Sequence, residues 1–145
     1  MQWPVLVNKL RVKLDQDTLG LSTIVERMTG VQVKDCFKEN DFIYVVVGSG
    51  EAGKAIGKGG DNIHRLQETL GKRVRIIEYA DQAPEFVKKI IYPLEVEQIL
   101  TQDNFLLLKD RNKKTKSLLI GRNGQNLKLI NRAVQRFFTL EVKVV

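Results

Sequence analysis

The chain has 145 residues, enough for one domain or two small ones, and its 43% apolar content is ordinary for a packed globular protein. A formal charge of +7 favours an anionic partner, nucleic acid before membrane. A single cysteine, Cys36, excludes an intrachain disulfide and a multi-cysteine zinc site, and a single histidine, His64, excludes a His-rich metal site. No apolar run approaches the roughly 20 residues of a membrane span. Met1-Gln2-Trp3-Pro4 lacks the apolar core of a secretory signal, so the cytoplasm is the expected compartment.

In chain order, Val5 to Leu14 alternates apolar residues with Lys9, Arg11 and Lys13, which predicts a strand with one basic face. Asp15 or Asp17 can cap a helix whose apolar face is Leu21, Ile24, Val25 and Met28, with Gly30 as its stop. Val31, Val33 and Phe37 continue as a strand in which Cys36 reads as a small buried hydrophobe. Glu39-Asn40-Asp41 is a turn, and Phe42 to Val47 completes a hairpin. After Gly48-Ser49-Gly50, a short helix over Glu51 to Ile56 runs into a glycine turn. The next helix points Ile63, Leu66 and Leu70 inward, ends at Gly71, and is followed by a strand from Arg73 to Tyr79 with Val74 and Ile76 on one face.

Asp81 to Pro93 reads as a connector, helical from Pro84, with Phe86, Val87, Ile90 and Ile91 as an apolar face expected to pack between the halves. The order then repeats: strand Leu94 to Thr101, turn Gln102-Asp103-Asn104, strand Phe105 to Lys109, and helix Lys113 to Ile120. A second glycine turn leads to a helix with Leu127, Ile130, Val134 and Phe137 inward, then a strand from Leu140 to Val145. Phe42, Phe105, Phe137 and Phe138 all fit core faces, which leaves aromatic stacking of a ligand poorly supported. The expected division is residues 1–80, a connector 81–93, and residues 94–145.

The repeat is centred on Ala55-Ile56-Gly57-Lys58-Gly59-Gly60-Asp61-Asn62-Ile63, which returns 64 residues later as Leu119-Ile120-Gly121-Arg122-Asn123-Gly124-Gln125-Asn126-Leu127. Each copy is a Gly-x-x-Gly turn between two helices. Glycine permits positive φ and close backbone approach. Lys58 and Arg122 stand at the tips, and the helix that follows aims its unpaired N–H groups at the same place. Together these suit a sugar-phosphate chain. A tight helical corner with no ligand would explain one copy; two copies with a cation at the same position favour binding. From Lys109 to Lys143 there are ten basic residues and two acidic ones, and Lys128, Arg132 and Arg136 form an i, i+4, i+8 stripe. Such a stripe alone is commonly a solvated face, but beside Arg122 it reads as a phosphate track.

Three enzyme-like motifs fail on detail. Gly48 to Gly53 matches G-x-G-x-x-G, and Gly48 to Lys54 begins a P-loop, but the position that should supply a magnesium-binding hydroxyl is Ala55. Phe105 to Asp110 imitates an apolar strand ending in a magnesium-binding Asp, with Lys109 intruding. Neither His64 nor Cys36 has the partners of a catalytic group, so no enzyme activity and no cofactor is expected.

Ile56 to Ile63 and Ile120 to Leu127 resemble the KH domain signature, and the helix and two strands before each turn resemble its type II topology. With Thr29-Gly30-Val31, Val33 to Cys36, Gly53 to Gly60 and Ser117 to Asn126, the whole chain is similar to the archaeal NusA-like transcription factors, which are stand-alone pairs of KH domains. The resemblance implies an α+β fold of two tandem type II KH modules, each a small three-stranded sheet with helices on one face. It also implies single-stranded RNA binding in transcription elongation, pausing or termination, with RNA polymerase as a further partner. On this reading the RNA-binding residues are Ile56, Gly57, Lys58, Gly59, Gly60, Asn62, His64 and Arg65 in the first module. In the second they are Ile120, Gly121, Arg122, Asn123, Gly124, Asn126 and Lys128, with Lys113, Lys114 and Lys116. Ile63 and Leu127 fit core positions better than contact positions, whereas Ile56 and Ile120 fit either. A ribosomal or ribosome-assembly KH protein that binds rRNA is the alternative, and a nucleotide-binding enzyme using Gly48 to Ala55 a remote one.

Overall fold

The computed structural model describes residues 16–145; the strand expected over Val5 to Leu14 lies outside them, as does Asp15. The chain forms two compact units that meet between Tyr79 and Ala80. It is α+β, with one three-stranded sheet in each unit.

In the first unit, helix α1 (Gln16–Thr29) ends where Gly30 takes φ 71° and its N–H donates to the Glu26 carbonyl at 2.9 Å. The Thr29 hydroxyl donates to the Val25 carbonyl at 2.6 Å and accepts from the Val31 N–H at 3.2 Å, so the chain leaves the helix with its polar groups paired. Strands β1 (Val33–Glu39) and β2 (Phe42–Val47) form an antiparallel hairpin closed by Asn40 at φ 54°. Strand β3 (Arg73–Glu78) pairs parallel to β2. Parallel neighbours need a crossover. Here it is two helices, α2 (Ala52–Ile56) and α3 (Asp61–Leu70), with the first glycine turn between them.

The core between sheet and helices contains Leu21, Val25, Val33, Cys36, Ile43, Val45, Val47, Ala55, Leu66 and Val74. Ile63 and Leu70 pack against it half-buried. One register detail departs from simple alternation. An irregularity between Val33 and Asp35 puts Val33 and Cys36 in this core and turns Phe37 to the other face of the sheet, where it stacks on Tyr44 at 5.4 Å.

The second unit opens with helix α4 (Ala83–Ile91), which carries proline in its first turn. Its apolar face, Phe86, Val87, Ile90 and Ile91, is buried. The Phe86 ring meets Phe137 edge-on at 5.5 Å and lies 5.9 Å from Phe138. The sheet has strands β4 (Gln98–Gln102), β5 (Phe105–Lys109) and β6 (Glu141–Val144), antiparallel then parallel. Helices α5 (Lys113–Ile120) and α6 (Gln125–Gln135) make the crossover, so both units share one chain path.

Strand β4 begins at Gln98 rather than Leu94. Pro93 has no N–H to offer a ladder. The Leu94 N–H turns back to the Ile91 carbonyl, and the Glu97 N–H is taken by the Asp110 carboxylate. The aromatic residues also differ from expectation: Phe42, Phe105, Phe137 and Phe138 are only half-buried, whereas Phe37 and Phe86 are fully buried. Amide side chains bind each crossover helix to its last strand. The Val74 N–H donates to Gln67 Oε1 at 3.0 Å, and the Val142 N–H to Asn131 Oδ1 at 2.7 Å.

Leu66 is fully buried between α3 and the sheet. Leu66→Ala is expected to lower stability by about 2–5 kcal/mol, read by urea denaturation.

Candidate nucleic-acid interface

Each glycine turn interrupts the crossover between two helices. At the first, Gly57 has φ 82° and ψ 168°, Gly59 φ 63° and ψ 19°, and Gly60 φ 78° and ψ 16°, before Asp61 enters the helical region. At the second, Gly121 has φ 74° and ψ 174°, Asn123 φ 57° and ψ 24°, and Gly124 φ 73° and ψ 15°. The corresponding angles agree within about 10°, inside the usual scatter of a single conformation. Asn123 replaces glycine because Asn enters the left-handed region at little cost.

The first glycine of each turn is required twice over. Its φ and ψ fall in a region that essentially only glycine occupies. A Cβ on Gly57 would lie 2.8 Å from the Asn62 backbone nitrogen, and one on Gly121 would lie 2.9 Å from that of Asn126. A Cβ on Gly59 would meet nothing within 4 Å. The start of the second helix is therefore pressed against the first glycine, while the tip stands clear.

Asn62 and Asn126 keep that approach in place. Asn62 Nδ2 donates to the Lys54 carbonyl at 3.0 Å, and Asn126 Nδ2 to the Leu118 carbonyl at 2.7 Å. Each caps an acceptor at the end of the preceding helix. This internal role was not foreseen, although the recurrence of Asn at one place in both copies was its signal. The Gly60 N–H also closes onto the Gly57 carbonyl at 3.1 Å, and Gly124 onto Gly121 at 3.2 Å.

Around these frames, Lys58, Gly59, Arg122 and Asn123 are exposed. Ile56 and Ile120 are both 37% exposed, so each turn is flanked by an apolar side chain that the core does not take. Ile63 and Leu127 are half-buried. His64 is exposed and lies over the outer side of Gly60, its Nε2 3.5 Å from where a Cβ would be. Arg65 donates to Asn62 Oδ1 at 2.7 Å and lies 3.9 Å from the Asp61 carboxylate, so it is held to its own helix. Lys128 is exposed on α6.

Lys113 and Lys114 are exposed at the start of α5, about 10 Å of helix from the turn that ends it. The Asn112 side chain caps that start by accepting from the Lys114 and Thr115 N–H groups. Lys116 faces a different feature, an open recess of about 450 Å³ lined also by Glu97, Lys109, Asp110 and Arg111. Hydrogen bonds from the Arg111 N–H and guanidinium hold the Glu97 carboxyl below its usual range there. At the P-loop-like stretch, α2 is five residues long and Ala55 is fully buried, facing the core. Among the described residues no cluster of His, Cys, Asp and Glu could hold a metal ion, and no helix is long and apolar enough to cross a membrane.

The KH domain family matches residues 22–98, which include the first turn and the helix–hairpin before it. The "Probable transcription termination protein NusA" of Methanococcus vannielii is 34% identical over 128 residues, 86% of this chain and 72% of that one. The chain belongs to the KH-domain family, among the archaeal NusA-like proteins. Family members of the same description from Methanocaldococcus jannaschii and Halococcus morrhuae are each 28% identical, over 93% and 91% of this chain and 76% and 96% of theirs. The crystal structure of APE1850 has the same fold, with a TM-score of 0.76, 28% identity, and coverage of 89% of this chain and 98% of that one. The KH match ends at residue 98, yet the second unit repeats the family's turn almost angle for angle.

Because the first glycine is pressed on the next helix and the tip is not, the two should respond differently to one added methyl group. Gly57→Ala or Gly121→Ala is expected to lower the melting temperature clearly more than Gly59→Ala, which carries only the left-handed strain of about 1–2 kcal/mol. Thermal unfolding of the three variants checks this.

Proposed function

We propose that this protein binds single-stranded RNA through both glycine turns and acts on transcription termination or antitermination in the cytoplasm. The observation that carries the reading is the pair of superimposable turns, each with an exposed cation at its tip and a part-exposed isoleucine beside it. Each unit works as one RNA-binding module. The relatives' description as transcription termination proteins supports the process, and a contact with RNA polymerase belongs to the same reading.

In this mechanism the turn accepts the backbone of about four nucleotides. Lys58 and Arg122 pair with phosphate. The left-handed residues leave the main chain bare, so a phosphate can come close, and the N-termini of α3 and α6 add their dipoles. Ile56 and Ile120 offer an apolar surface for an unstacked base. Asn62 and Asn126 act by holding the turn's shape. The protein is a binder and not an enzyme; the burial of Ala55 where a nucleotide loop needs a hydroxyl supports this.

The test compares one sequence as single strand and as duplex. Single-strand affinity is expected to be at least tenfold higher, and log K should fall with log salt by about 0.7 per phosphate neutralised. The double variants Lys58→Asp/Gly59→Asp and Arg122→Asp/Asn123→Asp are each expected to weaken binding with the melting temperature kept, since Asp tolerates the left-handed φ of the third turn position. Equal affinity for duplex, or full affinity in both variants, would refute the reading.

A further inference from the structure

The two turns match in backbone and differ in charge. Residues 48–70, from the end of β2 to the end of α3, carry Lys54, Lys58 and Arg65 against Glu51, Asp61 and Glu68. The corresponding residues 112–134 carry Lys113, Lys114, Lys116, Arg122, Lys128 and Arg132, and no carboxylate. Part of the difference falls on α5, and part on exposed positions of one face of α3 and α6. Asp61 corresponds to Gln125, His64 to Lys128, and Glu68 to Arg132.

Geometry enlarges the contrast. Asp61 is the first residue of α3, immediately after the turn, where its carboxylate repels an arriving phosphate and cancels part of the helix-end field. Arg65 is held by Asp61 and Asn62, so it compensates the carboxylate instead of facing a ligand. In the second unit Leu129 stands in place of Arg65 and is buried, and the turn is followed by neutral Gln125. Charges separated by no more than a Debye length, about 8–10 Å, act together on one phosphate. Near the first tip such a phosphate meets Lys58 and Asp61. Near the second it meets Arg122 and Lys128, and residues 112–134 supply no opposing charge.

We infer that the two turns divide the work: the second is the electrostatic anchor for the RNA backbone, and the first contributes mainly contacts that do not depend on salt. This rests on the RNA-binding reading above and deepens it. Phosphate contacts position a nucleic acid, whereas base contacts specify it. The near-neutral first turn is thus the place where sequence preference outweighs charge.

The experiment measures binding of an unstructured RNA of roughly eight to twelve nucleotides, long enough for two modules of about four each, across a salt series. Two variants change corresponding positions: Lys58→Gln/His64→Gln in the first unit and Arg122→Gln/Lys128→Gln in the second. The second pair is expected to reduce affinity at least tenfold at low salt and to flatten the salt slope by about 1.4, two phosphates' worth. The first pair should flatten it by no more than about 0.7. The transplant Asp61→Gln/Glu68→Arg should raise affinity and steepen the slope, and Gln125→Asp/Arg132→Glu should do the reverse. All these side chains are exposed, and the melting temperature reports on the fold. Equal slope changes from the two pairs, or a transplant without effect, would overturn the division of work while leaving RNA binding in place. A wild-type protein that binds no single-stranded RNA would overturn both.

Discussion

Everything distinctive in this fold depends on one close approach, the start of a helix against the alpha carbon of a glycine. At Gly57 and again at Gly121 there is no room for even a methyl group beside the following helix. That contact sets the corner between the two crossover helices. The corner lets a β–helix–helix–β path return parallel to its first strand within about 30 residues. It also turns the first helix's last carbonyls toward the second helix's first side chains, where Asn62 and Asn126 meet them.

The packing around the corner is asymmetric in a useful way. Ala55 and Leu66 lie on either side of the first turn and are fully buried, as are Leu119 and Val134 around the second. These residues anchor both arms of the corner in the core. Between the arms nothing is buried: the short helical turns at Lys58–Gly60 and Arg122–Gly124 contain no buried residue. The tip is held at its two ends and exposed in its middle. Ile56 and Ile120 sit at the boundary, apolar yet more than a third exposed, in the same place in both units.

Much of this was legible in the chain. Helix periodicity, Gly30 and Gly71 as stops, Asn40 in the hairpin turn and the 64-residue repeat led to the observed element order. What escaped depended on partners distant in sequence. The irregularity at Val33–Asp35 is a register event, set by where β2 lies. The late start of β4 follows from Asp110 taking the Glu97 N–H thirteen residues away. Half-burial of Phe42 and Phe105 could not be read from hydrophobicity, because Arg73 and Lys143 cover their rings at 5.8 Å and 4.0 Å. At the site, the glycines and cations stood out by type and spacing. The bond from Asn62 to a carbonyl eight residues back, and the tethering of Arg65, needed the folded corner to be seen.

The open tip has a consequence for how such a module can change over time. A Cβ at the third turn position would meet nothing within 4 Å in the first unit, and the second already carries Asn there. Substitution at that point is confined by backbone conformation alone. The glycines and buried residues that set the corner are distinct from Lys58, Gly59, Arg122 and Asn123 at the tip, so drift at the tip leaves the corner intact. A duplicated module of this kind can diverge in what it grips without first losing the ability to fold.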